Sequence, residues 1–259
     1  MKEKFLKEKQ LNEWLSLSSI RSYESLFYHI EQDNNLDLSR IEETFTFENV
    51  SGFFRKNSHK WKDTTYNFYI KKFRVFLKFL HREEKIWKFY EMLRFKKSDK
   101  KLPKHISFED LQKIFEILNE EEKRIIRFFL FTGVRRFEFA NIEQKNIFLE
   151  KWEIIIFWKW RKERIIPIHR KIKNDILHMN FPYSLRNIDD LRLQIQKKFP
   201  DFKLHNLRHT FATTMIKNKA DIYSLAQIMW HASIDTTTIY LSMDISRARE
   251  EIAKFDLSF

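Results

Sequence analysis

A chain of 259 residues with 43% hydrophobic side chains can bury two modest cores, and its lack of Cys excludes disulfides, thiolate metal sites and cysteine nucleophiles. Charged residues interrupt every apolar run short of a membrane span, and the opening MKEKFLKEKQ lacks the apolar core of a signal peptide. The net charge of +13 is concentrated: residues 51–104 hold 17 basic and 5 acidic side chains, against 6 and 10 in residues 1–50 and 26 and 21 in residues 105–259. A local excess of this size points to a polyanion partner, above all nucleic acid, rather than to a merely solvated face. A chain without Cys also suits a reducing compartment, so a cytoplasmic location without membrane contact is expected.

Residues 1–95 read as helical. Leu11, Trp14, Leu15 and Leu17 begin an apolar pattern that Ile20, Tyr23, Leu26, Phe27 and Ile30 continue. The stretch from Thr64 to Arg82 is clearer, with Tyr66, Tyr69, Ile70, Phe73, Phe76, Leu77 and Leu80 recurring at spacings of three and four. That stripe is core. Lys71, Lys72, Arg74 and Lys78 fill other faces, where contacts to a DNA backbone need only charge and reach.

Residues 96–104, KKSDKKLPK, form the expected linker, because Pro103 biases its predecessor away from helix. Ser107 then opens a helix as N-cap, with Asp110 three residues on. Helices are predicted over 107–118 and 120–131. The next seven residues are Thr132-Gly133-Val134-Arg135-Arg136-Phe137-Glu138. The chain has only two glycines, so Gly133 marks a place that needs backbone freedom or close approach. Glu138 is spaced to hold the Arg135 guanidinium; a plain surface pair is the alternative. Trp152 and Ile154–Phe157 form a β-rich run, and Ile165, Ile166 and Ile168 another, joined by Lys159-Trp160-Arg161-Lys162-Glu163-Arg164. Residues 171–198 read mostly as helix broken near Pro182, and 218–230 as a further helix before Tyr240.

The chemistry gathers between His205 and Tyr240. His205 and Arg208 share one helix face, while Leu207, Phe211 and Met215 read as core. His231 and Tyr240 follow. A guanidinium forks onto non-bridging phosphate oxygens, an imidazole shares a proton near neutral pH, and a phenol can form a covalent bond to phosphorus. The set suits attack of a tyrosine on a phosphodiester. His205 and His209 also lie at the i, i+4 spacing of zinc-binding helices, but Arg208 sits between them and no third ligand is near in sequence, so no metal is expected.

Thr-Gly-Val-Arg with a following Glu, a Lys in a β-hairpin, His-x-x-Arg, a later His and a Tyr nine residues beyond it occur here in that order. The chain thereby resembles the tyrosine recombinase (phage integrase) family, in its two-domain Xer-like or simple integrase form. The resemblance implies a mainly α protein with a small β-sheet in the catalytic domain. It implies a two-domain DNA clamp: a helical SAM-like core-binding domain at 1–95, the basic linker 96–104, and a mixed α/β catalytic domain at 105–259. The tail 241–259 would dock on a neighbouring protomer. Arg135 and Arg208 match the two phosphate-binding arginines, and His205 the general base or hydrogen-bond partner. His231 matches the histidine that binds phosphate and orients the nucleophile, Tyr240. Lys159 matches the lysine that protonates the leaving 5′ oxygen. Trp158 and Trp160 flank it where the family carries small residues, so Lys162 competes for the role. The implied activity is site-specific strand breakage and rejoining through a 3′-phosphotyrosyl intermediate, without cofactor. The implied partners are double-stranded DNA at a specific site and, on it, further copies of the chain as dimer to tetramer. A type IB topoisomerase and a non-catalytic DNA-binding relative remain the alternatives.

Overall fold

The computed structural model describes residues 1–11, 17–97, 102–157, 163–230 and 234–241. Lys159, Lys162, His231 and nearly all of the tail 241–259 lie outside the described residues. The chain divides into two compact units, the division falling at residue 100.

The first unit is helical: α1 (Lys2–Leu11), α2 (Leu17–Glu31), α3 (Ile41–Thr44), α4 (Phe47–Asn57) and α5 (Asp63–Arg82). Thr46 caps α4 by accepting the Asn49 N–H, which fixes where that helix starts. The stripe predicted on α5 is buried, with Phe73, Phe76, Leu77 and Leu80 fully enclosed. Aromatic rings fill this core edge to face; Phe27 meets Phe76 at 4.9 Å and 90°.

The helical reading of 1–95 fails beyond α5. Glu84 adopts a positive φ of 57°, and residues 83–97 run as turns and extended chain. This segment doubles back along α5, burying Phe89 and Leu93. Asn67 clasps it from α5: its amide donates to the Lys96 carbonyl and its own oxygen accepts the Lys96 N–H, both at 2.8 Å. Arg74 does the same, donating to the carbonyls of Glu91 and Leu93 and stacking over Phe95. Arg74 therefore ties the segment to α5 through its Nη2. Lys72 is half-buried over the Tyr23 ring at 4.2 Å, and burial lowers its pKa. Lys71 and Lys78 stand exposed one above the other.

The second unit is mixed. It runs α6 (Phe108–Glu116), α7 (Glu120–Thr132), α8 (Arg136–Ala140), β1 (Ile147–Phe148), β2 (Glu153–Phe157), β3 (Glu163–Pro167), α9 (Lys173–Leu177), α10 (Leu185–Gln196), α11 (Leu204–Lys217), α12 (Ile222–Met229) and α13 (Asp235–Thr238). Ser107 caps α6 through the Asp110 N–H, as the sequence predicts, and Asn119 with Glu122 forms a capping box on α7. Among the described residues the strands make one antiparallel sheet ordered β1-β2-β3, with Ile154 opposite Ile166 and Ile156 opposite Arg164. Trp152 is not in a strand: at φ 58° it forms the turn that leads into β2. The helix read over 171–198 is two, α9 and α10. The seven residues between them are extended or turn, and Ser184 caps α10 by accepting the Asn187 N–H.

Helices α7 and α11 pack side by side. Ile126, Phe128, Phe129, Phe139 and Leu207, all at or near zero exposure, share one buried core with Ile154, Ile156 and Ile166 of the sheet. This core fixes the end of α7 against α11, the junction on which the site is built. Among the described residues, no helix is long and apolar enough to cross a membrane.

Candidate active site

Helix α7 ends at Gly133, whose φ of 61° is the left-handed conformation that glycine adopts without strain. A Cβ there would stand 2.5 Å from a ring carbon of Phe211 on α11. Glycine thus serves both the turn and the close approach of α7 to α11. Gly133→Ala is expected to lose roughly 2–4 kcal/mol of stability, from left-handed strain together with displacement of the Phe211 ring. Urea unfolding checks this, and an unchanged midpoint would mean that the two helices do not approach so closely.

The turn at Gly133 delivers Arg135. Its backbone N–H donates to Glu138 Oε2 and its Nη1 to Oε1, both at 2.7 Å. Its Nη2 donates to the carbonyl of Trp230 at 3.1 Å. Glu138 is 1% exposed, so this is not the surface pair that the spacing alone allows. Its second partner is Arg164 of β3, whose Nη2 donates to Oε2 at 2.7 Å. Burial pushes the Glu138 pKa up, but Arg164 and Arg135 outweigh it and the net shift is downward.

Arg208, on α11, is 2% exposed. One of its nitrogens donates to the Gly133 carbonyl and another to the Met229 carbonyl. Burial, then the neighbouring Arg135, lowers its pKa to about 9, which leaves it charged at neutral pH. The carbonyls of Met229 and Trp230 close α12, whose C-terminal dipole end favours cations. One helix end therefore receives both arginines. Trp230 turns the chain there with a φ of 49°, and His231 comes next in sequence.

His205 keeps an exposed edge; desolvation of the rest of its ring, with Arg208 and Arg135 near, lowers its pKa. Its ring meets that of His209 edge to face at 4.4 Å. Among the described residues no cluster of His, Asp or Glu is placed to hold a metal ion. Tyr240 is 3% exposed and packs with Ala212, Ile216, Leu225 and Met229. Its hydroxyl lies 2.7 Å from Nδ1 of His209. Burial raises the Tyr240 pKa, and the positive charge of Arg208 opposes that rise.

The structure therefore brings together Arg135, His205, Arg208 and Tyr240, from three separate stretches of sequence. It adds Arg164, which the motif reading did not place there, and gives two motif residues partners the sequence does not show: Glu138 bonds Arg164 as well as Arg135, and His209 meets Tyr240. Arg164 shares its strand face with Ile166, and that alternation is visible in the sequence. His209 directly follows Arg208 in the His-x-x-Arg motif, but nothing in the sequence ties it to Tyr240. Two guanidiniums pair with the Glu138 carboxylate and the third, Arg208, is held by carbonyls nearby, so the site holds a surplus of positive charge suited to a phosphate.

The family model described as the phage integrase family matches residues 182–247. Tyrosine recombinase XerC of Escherichia coli is 26% identical over 175 residues, 57% of this chain and 59% of the relative. A second Escherichia coli XerC is 27% identical over 178 residues, with the same shares. The match thus spans about three-fifths of these relatives' own length. Among solved structures, the Tn1549 transposon integrase in complex with a circular intermediate DNA has the same fold, with a TM-score of 0.76 at 15% identity over 96% of this chain and 98% of that one. XerH site-specific recombinase bound to palindromic difH substrate gives 0.69 at 19% identity, over 97% and 83%. Arg135, His205, Arg208 and Tyr240 are thus gathered in one site on a fold shared with these recombinases, and residues 182–247 are similar to the phage integrase family.

Proposed function

We propose that the protein is a site-specific DNA recombinase that breaks and rejoins strands through Tyr240. The observation that carries this reading is the convergence of Arg135, Arg208 and Tyr240 in one positively charged site. Arg135 and Arg208 bind the non-bridging oxygens and neutralise the pentavalent phosphorane. The Tyr240 oxygen attacks phosphorus, giving a 3′-phosphotyrosyl bond and a free 5′-hydroxyl, and His205 accepts or shares the phenol proton. The ester keeps the energy of the broken bond, so rejoining needs neither ATP nor metal. His231 orients the phenol, and Lys159 protonates the departing 5′ oxygen. Those two roles rest on the motif match alone. The partners are duplex DNA at a specific site and further copies of the chain bound to it, as dimer to tetramer. The first unit serves as core-binding domain, residues 96–104 as linker and the second unit as catalytic domain. A Cys-free chain that acts on DNA fits a cytoplasmic location.

The test is to incubate the protein with a library of nicked duplexes and recover DNA that stays attached through denaturation. The expected result is one enriched sequence, linked at its 3′ end to Tyr240. No attached DNA, or linkage at a 5′ end, would sink the proposal.

Two predictions belong to this reading. Counterion release makes affinity fall with salt, and each phosphate contact adds about 0.9 to the slope of log affinity against log salt. Lys71→Gln with Lys78→Gln should therefore flatten that slope by about two units in anisotropy titrations. An unchanged slope would place the DNA elsewhere. Arg74→Gln should instead lower the stability of the first unit, because Arg74 is tied to Glu91 and Leu93. For Lys159, the expected loss in Lys159→Ala is on the order of a hundredfold in cleavage rate. A 5′-bridging sulfur substrate, whose thiolate leaves without a proton, should restore the variant to near the wild-type rate. Rescue of Lys162→Ala and not of Lys159→Ala would exchange the two roles.

A further inference from the structure

His209 has no part in the chemistry proposed above, yet it makes the one hydrogen bond to the Tyr240 hydroxyl found among the described residues. Its place follows from the helix. His209, Ala212 and Ile216 fall in line along one face of α11 at spacings of three and four. Ala212 and Ile216 form the apolar floor under the Tyr240 ring, and His209 supplies the polar end. Leu225 and Met229 of α12 enclose the ring from the other helix. The ring and its hydroxyl are thus matched separately, the one by apolar side chains and the other by a nitrogen 2.7 Å away. Burial, His205 and Arg208 lower the His209 pKa to about 4, so the imidazole is neutral and one of its nitrogens can accept. At 3% exposure, Tyr240 cannot meet a phosphodiester where it stands.

We propose that His209 is a positioning residue that seats the nucleophile in the DNA-free protein. The Tyr240 hydroxyl donates to Nδ1 of His209, and the phenol reaches phosphorus only after giving up that bond. Bound substrate is then what releases the nucleophile, which protects the phenol and withholds it from stray phosphodiesters. The regulatory consequence rests on the reading of Tyr240 as nucleophile; the seat itself does not.

The experiment follows nitration of Tyr240 by tetranitromethane in the full-length, DNA-free protein, located by mass spectrometry. His209→Leu keeps bulk and loses the acceptor. His209→Asn places an amide oxygen close to where Nδ1 stood. His209→Leu is expected to nitrate at Tyr240 about fivefold faster than wild type, the factor supplied by one ordinary net hydrogen bond. His209→Asn should stay near the wild-type rate. Equal rates in wild type and His209→Leu overturn the proposal. So does a His209→Asn as fast as His209→Leu, because packing would then be the cause. If His209→Leu does not fold, Tyr240→Phe reads the same bond from the other side. The His209 Nδ1 resonance in nitrogen NMR should move by several ppm on losing its donor, and an unmoved resonance overturns the seat. Nitration needs no DNA, so the two readings separate. Protection without covalent capture by wild type leaves the seat and removes the recombinase; capture without protection does the reverse.

Discussion

Tyr240→Phe is expected to abolish covalent capture of nicked duplex DNA while leaving duplex affinity within about twofold of wild type, since phosphate contacts by Lys and Arg supply most of that affinity. The substitution removes one oxygen. The ring keeps its seat among Ala212, Ile216, Leu225 and Met229, so the apolar packing is unchanged. The fold loses the hydrogen bond to His209, at a cost of about 1 kcal/mol. Chemistry loses its only route to a covalent ester at this site, because phenylalanine has no nucleophilic atom. Arg208→Ala also stops capture but tests less, because it orphans the carbonyls of Gly133 and Met229 and unsettles the fold with the chemistry. Denaturing electrophoresis of wild type and variant on one suicide substrate decides the matter. Capture persisting in Tyr240→Phe would transfer the nucleophile to another tyrosine, with the exposed Tyr223 first in line.

What was legible in the sequence was local. The α5 stripe, the Ser107 cap, the paired strands and the spacing of Arg135 to Glu138 all depend on residues within one or two helical turns or one hairpin. Periodicity and cap chemistry act over those distances, so a reading by pattern finds them. The return of residues 83–97 along α5 was not legible, because Asn67 and Arg74 hold it from across the unit and neither carries a mark of doing so. Composition counts Arg74 as a charge and cannot see the carbonyls of Glu91 and Leu93 to which it donates. The same limit hid the partner of His209, which lies 31 positions on. Arg164 was within reach of the pattern: Arg164, Ile166 and Ile168 alternate, and a charged residue at an inward position of a strand requires a buried counter-charge. Glu138 is that counter-charge. One carboxylate thus joins the motif that supplies Arg135 to the strand that leaves the hairpin.

That junction should be the most costly single site in the second unit to disturb. Glu138 accepts three hydrogen bonds, from the Arg135 backbone, the Arg135 side chain and Arg164. Arg164 is 7% exposed, and among the described residues its Nε and Nη1 have no other partner. Glu138→Gln keeps the shape and removes the charge, which strands a buried guanidinium; about 3–5 kcal/mol of stability is expected to go with it. The loss should depend on pH. The folded Glu138 pKa lies below its ordinary value of 4.5, so the carboxylate contributes its full share above about that pH and loses it as pH falls toward the folded value. Wild type should therefore show an acid limb in unfolding free energy below about pH 4.5 that Glu138→Gln partly lacks. The double variant Glu138→Leu with Arg164→Leu separates charge from shape. A buried pair replaced by apolar side chains of similar volume is often neutral, so the double variant should regain much of the stability lost by Glu138→Gln. It should not regain activity, because Arg135 has lost the carboxylate that aims it. Recovery of capture together with stability would show that Glu138 serves the fold alone and that the Trp230 carbonyl suffices to position Arg135.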